Sequence, residues 1–257
     1  MILKKATRAL LDAIYPPVCI LCGELSQDTH PHCCGLCLRS FEPVGASCCI
    51  RCGEPFPVRQ EPHLCLSCLV SPVPFRWCRG LYLYRGAVAG ALSGLKYGKS
   101  LALAGPLAEA LERGVDTLEP IPVADVVVPV PASRRVLLSR GFNCAAILAK
   151  PLARRLGVAL AENVVVKCGS IPQVGLGRSA RLENAARSFA AGSGIGKVKG
   201  KRVMLFDDVY TSGATAKACA RLLVRAGALV SVLTLARRAP ENLEHLFVDA
   251  SVGSQDP

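Results

Sequence analysis

The segment that decides the fold reads Phe206-Asp207-Asp208-Val209-Tyr210-Thr211-Ser212-Gly213-Ala214-Thr215, and it continues an apolar run that starts at residue 203. The apolar run predicts a buried strand over residues 202–206, and the hydroxyl and glycine residues predict a turn into a helix. A helix N-terminus offers free backbone N–H groups and a partial positive charge, and Gly213 allows a phosphate to approach the backbone closely. Because ligands of open parallel sheets bind beyond the carboxyl ends of strands, the segment indicates a phosphate site.

Two carboxylates stand beside this predicted phosphate cradle. Asp207 and Asp208 would repel a phosphate, so we interpret them as groups that hold something neutral next to it. The vicinal hydroxyls of a ribose fit that requirement, and a phosphate at one end with a diol at the other describes a ribose 5-phosphate. The residues alone leave a second interpretation open, in which an aspartate caps the helix and the Thr/Ser/Gly residues form an ordinary turn.

The sequence around this segment alternates between strand and helix patterns. We predict strands at residues 80–84, 125–130, 163–166, 202–206 and 229–235, and helices at residues 92–96, 101–111, 142–156 and 214–226. The strand near residue 126 is β-branched and nearly all apolar, as a strand buried on both faces should be. Strands separated by helices of about a dozen residues predict an α/β fold, with a parallel sheet covered by helices on both faces.

The composition of the chain changes near residue 75, after the proline-rich joint Ser71-Pro72-Val73-Pro74. Cysteines, prolines and short polar stretches dominate before the joint, and the alternating strands and helices follow it. We therefore predict four parts: an amphipathic N-terminal helix at residues 1–15, a cysteine-rich module at 16–74, the α/β domain at 75–240 and a tail at 241–257.

The cysteine-rich module predicts two metal sites. Ten of the 14 cysteines lie between Cys19 and Cys68, and eight of them form four Cys-x-x-Cys pairs in two similar halves. These eight are Cys19, Cys22, Cys34, Cys37, Cys49, Cys52, Cys65 and Cys68. Two such pairs complete a tetrahedral site of four thiolates, which is the pattern of structural zinc. Disulfides, chance clustering or a redox Cys-x-x-Cys would not explain the repeat.

The sequence does not decide how the pairs combine. Consecutive pairs would give two stacked ribbons, and alternate pairs would give an interleaved module. Cys33 and Cys48 each precede a paired cysteine and are either spare thiols or alternative ligands. Three histidines could also substitute, namely His30, His32 and His63.

The net charge of +12 suits an anionic partner such as a phosphate, a nucleic acid or an anionic surface, although high arginine usage by the source organism would give the same excess. The first 15 residues lack the uninterrupted apolar run of a secretory signal, and no apolar run reaches transmembrane length. We expect a cytoplasmic protein without membrane insertion.

The phosphate segment resembles the phosphoribosyl pyrophosphate signature of type I phosphoribosyltransferases, Asp-Asp-Val-x-Thr-[Ser/Thr]-Gly-x-Thr after an apolar strand. With the four cysteine pairs in front, the chain resembles the ComF family, which is associated with DNA uptake and utilisation in bacteria. Five further segments carry the resemblance: Leu95-Lys96-Tyr97-Gly98-Lys99, Val128-Pro129-Val130-Pro131, Arg140-Gly141-Phe142-Asn143, the spaced set Gln173, Leu176, Arg181, Asn184 and Phe189, and Leu235-Ala236-Arg237.

The resemblance implies a double zinc ribbon followed by a type I phosphoribosyltransferase-like domain. It implies that phosphoribosyl pyrophosphate or a related ribose phosphate is bound with Mg2+ by Asp207, Asp208, Val209, Tyr210, Thr211, Ser212, Gly213, Ala214 and Thr215. Our candidates for the pyrophosphate side are Lys96, Arg135 and Arg140. The stretch that contains Arg178, Arg181 and Arg187 could fold over the site as a lid.

The chain departs from the family pattern at three places. Only Arg135 aligns with a common pair of adjacent arginines, because Val136 replaces the second. Cys144 stands where glutamine is usual, and Ser212 replaces a common threonine while keeping its hydroxyl. The arginine change weakens the expected pyrophosphate side of the site.

No residue announces itself as a catalytic base or as an acceptor site, so three functions stay open. The protein could be a phosphoribosyltransferase with an unknown acceptor, a sensor that binds the ribose phosphate without turnover, or an accessory protein that binds single-stranded DNA or DNA-uptake proteins during competence. For the DNA hypothesis we single out basic residues Arg39, Arg51, Arg59, Arg76 and Arg79, with Phe56, Phe75 and Trp77 as stacking surfaces.

Overall fold

The computed structural model describes residues 16–26, 32–119, 123–169 and 188–239. Several sequence-based expectations lie outside these ranges. They are the N-terminal helix at 1–15, the tail at 241–257, the metal candidate His30, and the lid stretch with Arg178, Arg181 and Arg187 together with Gln173, Leu176 and Asn184. The four-part domain division stays a prediction.

The centre of the α/β domain is a five-stranded parallel sheet with the order β1-β7-β6-β2-β3. Its strands are β1 (Cys78–Leu83), β2 (Val126–Pro129), β3 (Ala159–Leu160), β6 (Arg202–Tyr210) and β7 (Leu229–Arg237). A separate antiparallel pair consists of β4 (Val165–Lys167) and β5 (Phe189–Ala191). The main sheet is parallel throughout, and the strand prediction near residue 163 is corrected, because those residues join this pair and not the sheet.

Helices cover both faces of the sheet. The described helices of this domain are α3 (Gly86–Lys96), α4 (Ala104–Asp116), α5 (Arg134–Arg140), α6 (Cys144–Leu156) and α7 (Ala214–Arg225), with 3-10 turns at Leu101–Leu103 and Ile195–Val198. Val127, Met204 and Leu233 face a core shared with α3, α4 and α6. Their neighbours Val126 and Val203 face the core on the other side, with α7. Successive strand residues thus alternate between two buried faces, and the predicted α/β class is confirmed.

The strand β6 is longer than the sequence pattern predicts. The apolar run ends at Phe206, but the pairing with β7 continues through Asp207 with Thr234 and Tyr210 with Arg237. Asp207 and Asp208 therefore lie inside the strand and not in the loop that follows it. Pairing with β7 at Asp207 and again at Val209 holds the acidic residues in place, and this contact is invisible in the local sequence.

The helix α5 was not predicted at all, because none of its residues is buried and it has no apolar face against the core. Local signals form it instead. The Ser133 hydroxyl accepts a hydrogen bond from the backbone of Val136 at 3.3 Å, and the helix ends at Gly141 with a φ of 88°.

The cysteine-rich module packs against the edge strand of the sheet. It contains two one-turn helices, α1 (Gly35–Arg39) and α2 (Leu66–Val70). Residues 42–44 run antiparallel to β1, with the Val44 N–H donating to the Leu81 carbonyl at 3.0 Å and the Leu83 N–H to the Glu42 carbonyl at 2.8 Å. Since an open edge strand invites pairing with other chains, this cover protects β1.

Within the described residues, no single helix is long and apolar enough to cross a membrane. One pair, α5 with α6, meets the length and composition requirement together, and it is bent by 88° at its break.

Candidate functional site

The candidate site lies at the carboxyl end of β6, in the middle of the sheet. Asp207 and Asp208 are partly buried there, and the Asp208 N–H donates to the Asp207 carboxylate at 2.9 Å. Three residues after Tyr210, where β6 ends, Gly213 takes a left-handed conformation with a φ of 73°, and α7 begins at Ala214. The residues between, Thr211 and Ser212, are exposed. Two carboxylates thus border an open, hydroxyl-rich helix start, as the sequence predicts.

A lysine from another helix neutralises part of the acidic pair. Lys96, the last residue of α3, places its Nζ 2.6 Å from Oδ1 of Asp208. Burial works against the Lys96 charge, but Asp208 outweighs it, so the pKa of Lys96 is raised above its usual value. Burial, with repulsion from Asp208, raises the pKa of Asp207 to about 8. The two acids therefore differ, because Asp208 has a cationic partner and Asp207 has a raised pKa.

The other candidates for the pyrophosphate side lie in different surroundings. Arg140 donates to the Cys144 sulphur at 3.3 Å, and its guanidinium lies 5.6 Å from the centroid of the Tyr97 ring. Burial raises the pKa of the Cys144 thiol, Asp208 raises it further, and the charges of Arg140 and Lys96 lower it. These three charged groups therefore lie near one thiol. Arg135 is exposed on α5, and no side-chain hydrogen bond or ion pair of the described residues includes it.

Lys167 is a functional candidate that no sequence pattern indicates. It ends β4 in the antiparallel pair, 5.4 Å from the ring centroid of Phe189, and its charge lowers the pKa of Asp207 against the larger effect of burial. It belongs to no motif, and only the hairpin brings it to the acidic pair.

Tyr210 lies inside the molecule and not on the open face of the site. It is buried, and its ring lies against the guanidinium of Arg237 and beneath Gly213. Of the remaining predicted binding residues, Val209, Ala214 and Thr215 are partly buried. The groups that this segment exposes to a ligand are therefore those around the start of α7.

The first set of cysteines has the geometry of a metal site. The sulphurs of Cys19, Cys22, Cys34 and Cys37 lie within 4.8 Å of one another, with 3.8 Å from Cys19 to Cys37 and from Cys22 to Cys34. Zinc–sulphur bonds of about 2.3 Å in a tetrahedron require sulphurs about 3.8 Å apart. The Cys34 N–H also donates to the Cys19 sulphur at 3.3 Å, and such bonds stabilise a thiolate.

The second set repeats the first. The sulphurs of Cys49, Cys52, Cys65 and Cys68 also lie within 4.8 Å of one another, and the Cys65 N–H donates to the Cys49 sulphur at 3.3 Å. Consecutive pairs therefore share a site, which answers the question that the spacing left open. Both sets fit zinc ions held by four thiolates, in which no coordination position is open for chemistry.

The described alternative ligands belong to neither set. Cys33 is fully buried in the main core, where burial raises the pKa of its thiol to about 12. Burial likewise raises the pKa of Cys48. His63 stacks on Phe56 with ring centroids 4.3 Å apart, and His32 is exposed outside both thiol sets.

A basic groove of about 570 Å³ lies at the opposite end of the sheet, where the strands begin. Its cationic walls are Arg51, Arg76, Arg79 and Arg202, and Trp77 contributes an aromatic surface. The groove lies between the cysteine-rich module and the α/β domain, and residues of both line it.

Comparisons with known proteins agree with this arrangement. A double zinc ribbon domain matches residues 10–69, and a phosphoribosyl transferase domain matches residues 142–255. The DNA utilization protein YhgH of Salmonella typhi is 30% identical over 217 residues, which are 83% of this chain and 93% of that protein. The competence protein ComFC of Bacillus subtilis is 25% identical over 244 residues, 87% of this chain and 96% of that protein.

Among solved structures, adenine phosphoribosyltransferase from Thermoanaerobacter pseudethanolicus is 19% identical, with a TM-score of 0.35, over 54% of this chain and 82% of that one. No functional conclusion rests on this likeness.

The fold and the two thiol sets define a class of protein, a double zinc ribbon followed by a phosphoribosyltransferase-type domain. Within that class, the chain belongs to the ComF family, whose relatives carry the names DNA utilization protein YhgH and competence protein ComFC.

We predict that each molecule binds two zinc ions. Mutation of a ligand cysteine should release metal, whereas mutation of a neighbouring cysteine should not. Cys22→Ala and Cys52→Ala should each remove about one zinc, because a four-thiolate site loses most of its affinity with one ligand gone. Elemental analysis and the visible spectrum of cobalt-substituted protein measure this.

Cys33→Ala and Cys48→Ala are the matched controls, since each alters the residue just before a ligand. Both should retain two zinc ions. Loss of metal from either control, or a wild-type protein that takes up no zinc under reducing conditions, would contradict the assignment of ligands.

We also predict a pH dependence of stability from Asp207. The unfolded carboxyl titrates near pH 4, whereas the folded one titrates at about pH 8. Between these values the folded protein holds a proton that the unfolded chain has lost, so the free energy of unfolding falls as the pH rises, by up to about 1.4 kcal/mol per pH unit. Asp207→Asn should remove this part of the decline in urea titrations, and Asp116→Asn, at an exposed site, should retain it. A D207N profile parallel to that of the wild type would be the contrary result.

Proposed function

We propose that this protein binds phosphoribosyl pyrophosphate, or a related ribose 5-phosphate, at the carboxyl end of β6. The observation that supports it most directly is the pair Asp207–Asp208, which ends a central strand and is followed at once by the Gly213 turn into α7. A helix start attracts a phosphate, and two carboxylates beside it accept hydrogen bonds from a sugar diol. The match of this region to a phosphoribosyl transferase domain supports the same assignment.

Each part of the ligand then has a proposed partner. Asp207 and Asp208 hold the ribose hydroxyls, and residues 211–215 surround the 5-phosphate with backbone N–H groups and hydroxyls, while the predicted binding residue Tyr210 lies beneath the turn. Lys96 and Arg140 face the pyrophosphate, and Arg135 is retained as a more distant candidate on α5. Mg2+ that arrives with the pyrophosphate would neutralise its remaining charge.

The ion pair between Lys96 and Asp208 gives the site a way to respond to its ligand. Without ligand, the 2.6 Å contact keeps the carboxylate satisfied. A pyrophosphate offers the ammonium a stronger anionic partner, so its arrival would release Asp208 to accept a ribose hydroxyl. Binding of the two ends of the ligand is thereby linked through one lysine.

Turnover is a separate question from binding, because fold does not determine reaction. A transferase would release pyrophosphate in the presence of an acceptor, and a sensor would bind without release. We propose that the protein acts in the cytoplasm, where thiolates stay reduced and zinc-bound, and that it serves DNA uptake or utilisation as the names of its relatives indicate. Following pyrophosphate release from phosphoribosyl pyrophosphate with Mg2+, with and without nucleobases or single-stranded DNA, separates transferase from sensor.

Asp207→Ala combined with Asp208→Ala should abolish binding of phosphoribosyl pyrophosphate. The loss of one charge-assisted hydrogen bond at Asp208 and of a second hydrogen bond at Asp207 corresponds to a fall in affinity of about 100-fold. Calorimetry in the presence of Mg2+ measures the affinity. The control D116N with D125N removes the same charge elsewhere, since Asp116 and Asp125 form surface ion pairs with Arg155 and Arg202. Undiminished affinity in the double alanine variant would reject the diol-holding role.

The basic groove favours a second candidate function, the binding of single-stranded DNA. Arg51, Arg76, Arg79 and Trp77 line it, and they combine cations for phosphates with an aromatic face for a base. Two of these arginines also bind the protein itself, since Arg51 donates to the carbonyl of Arg76 at 3.0 Å and Arg79 to that of Cys78 at 2.9 Å. Of the other basic candidates, Arg39 and Arg59 are exposed but do not line the groove.

Arg51→Gln with Arg76→Gln should weaken binding of an oligothymidine and reduce the salt dependence. Each phosphate contact on a single strand contributes about 0.7 to the slope of log affinity against log salt, so the slope should fall by about 1.4. Fluorescence anisotropy at several salt concentrations measures both. R221Q with R225Q is the matched control, because Arg221 and Arg225 are exposed on α7 away from the groove. Equal losses in both pairs would mean that net charge, and not the groove, attracts the DNA.

A further inference from the structure

Arg237 is a buried arginine that the proposed function leaves unexplained. It ends β7, is 3% exposed, and forms no ion pair with an acidic residue in the part of the chain that the structure describes. Its Nη1 donates to the main-chain carbonyl of Cys52 at 2.7 Å, and its Nε has no hydrogen-bond acceptor among the described residues. A buried cation with an unsatisfied nitrogen is costly, so its position calls for a reason other than stability.

The other side of the Arg237 guanidinium covers Tyr210. The Cζ atom lies 4.3 Å from the centroid of the ring, within the range of a cation–π contact. Tyr210 is the last residue of β6 and pairs with Arg237 across the two strands. The Arg237 side chain thus connects the turn of the second cysteine set to Tyr210. Tyr210 directly precedes residues 211–215, the part of the phosphate segment that is proposed to contact the phosphate.

Tyr210 in turn supports the turn that starts α7. A Cβ atom placed on Gly213 would lie 2.0 Å from the Tyr210 hydroxyl and 2.4 Å from Cζ of the ring. The backbone of Gly213 therefore rests directly on the phenol, and a displaced ring would move the backbone with it.

Two more glycines make room for the same connection. A Cβ on Gly80 would lie 2.5 Å from Cβ of Arg237, so only glycine lets the arginine side chain cross β1. A Cβ on Gly53 would lie 2.3 Å from the carbonyl of Cys78, so the turn of the second thiol set packs directly on β1. The Cys52 carbonyl comes within reach of Arg237 by this close approach.

We propose that Arg237 is a positioning residue, which holds Tyr210 and hence the phosphate segment in place against the second cysteine set. The proposal rests on the proposed function for its effect on ligand affinity, but the positioning itself is independent of any ligand. A four-thiolate zinc site has a net charge of about −2, so the guanidinium also sits where a cation is stabilised. Among the described residues, no arginine connects the first cysteine set to the start of α7, and its neighbours Leu38, Phe41 and Glu42 contact α4 and β1 instead.

Arg237→Met tests the proposal, with Arg113→Met as the matched control. Arg113 also joins the α/β domain to a cysteine-rich segment, since its Nη2 donates to the Leu38 carbonyl at 3.4 Å, but it lies on α4 and not beside Tyr210. In R237M, backbone amides of residues 211–216 should exchange with solvent about tenfold faster, and affinity for phosphoribosyl pyrophosphate should fall about tenfold. R113M should leave both as in the wild type, and both variants should keep two zinc ions.

Unchanged exchange at residues 211–216 in R237M would overturn the proposal, and so would an equal increase in R113M or an increase spread over all of β6 and β7. If R237M fails to fold, R237K is judged by the same criteria, since lysine keeps the charge but lacks the planar fork that contacts both partners. If the wild-type protein binds no phosphoribosyl pyrophosphate, the proposed function fails, and amide exchange still decides whether Arg237 positions the segment.

Discussion

The hydrogen-bonded ladder between β6 and β7 is the constraint on which the rest of the structure depends. It runs from Arg202 with Leu229 to Tyr210 with Arg237, so it continues past the last apolar residue of β6. Without this pairing, Asp207 and Asp208 would occupy a free loop, where two adjacent carboxylates would separate and stay solvated. The ladder instead fixes both acids at the rim of a buried sheet. The raised pKa of Asp207 and the ion pair of Asp208 with Lys96 follow from that position.

Such a site is unfavourable for stability and favourable for binding. An apolar pair at these two positions would remove the repulsion and the desolvation that the carboxylates suffer. The protein instead retains two mutually repelling acids beside an exposed helix start, with Lys96 paired to Asp208. This combination is expected where a polar ligand completes the site, because the ligand then forms hydrogen bonds that the protein itself does not provide.

Much of the fold and of the candidate site is predictable from local sequence. Most of the features that local sequence does not predict share one cause, and the helix α5 has another. Each buried strand, the Gly213 turn and each cysteine pair is a signal contained within a few consecutive residues. The fold class follows from these local signals. The extension of β6, the position of Lys167 and the contact of Arg237 depend on partners more than 20 residues away, which no local pattern encodes. The helix α5 was missed for the opposite reason. It has no apolar face, so the periodicity that reveals a helix was absent and only its capping residues mark it.

The zinc ribbons are also less separate from the α/β domain than the change of composition near residue 75 indicates. Cys33, Leu38 and Phe41 from the first ribbon belong to the same buried cluster as the helices α3, α4 and α6. The second ribbon gathers mainly its own cysteines, with Phe56, Leu64 and Val73 beside them. So small an apolar cluster cannot fold unaided, and a structural zinc contributes on the order of 10 kcal/mol or more. The metal therefore stabilises the Cys52 turn, and through the contact with Arg237 that turn becomes a fixed point against which the far end of β6 can be held.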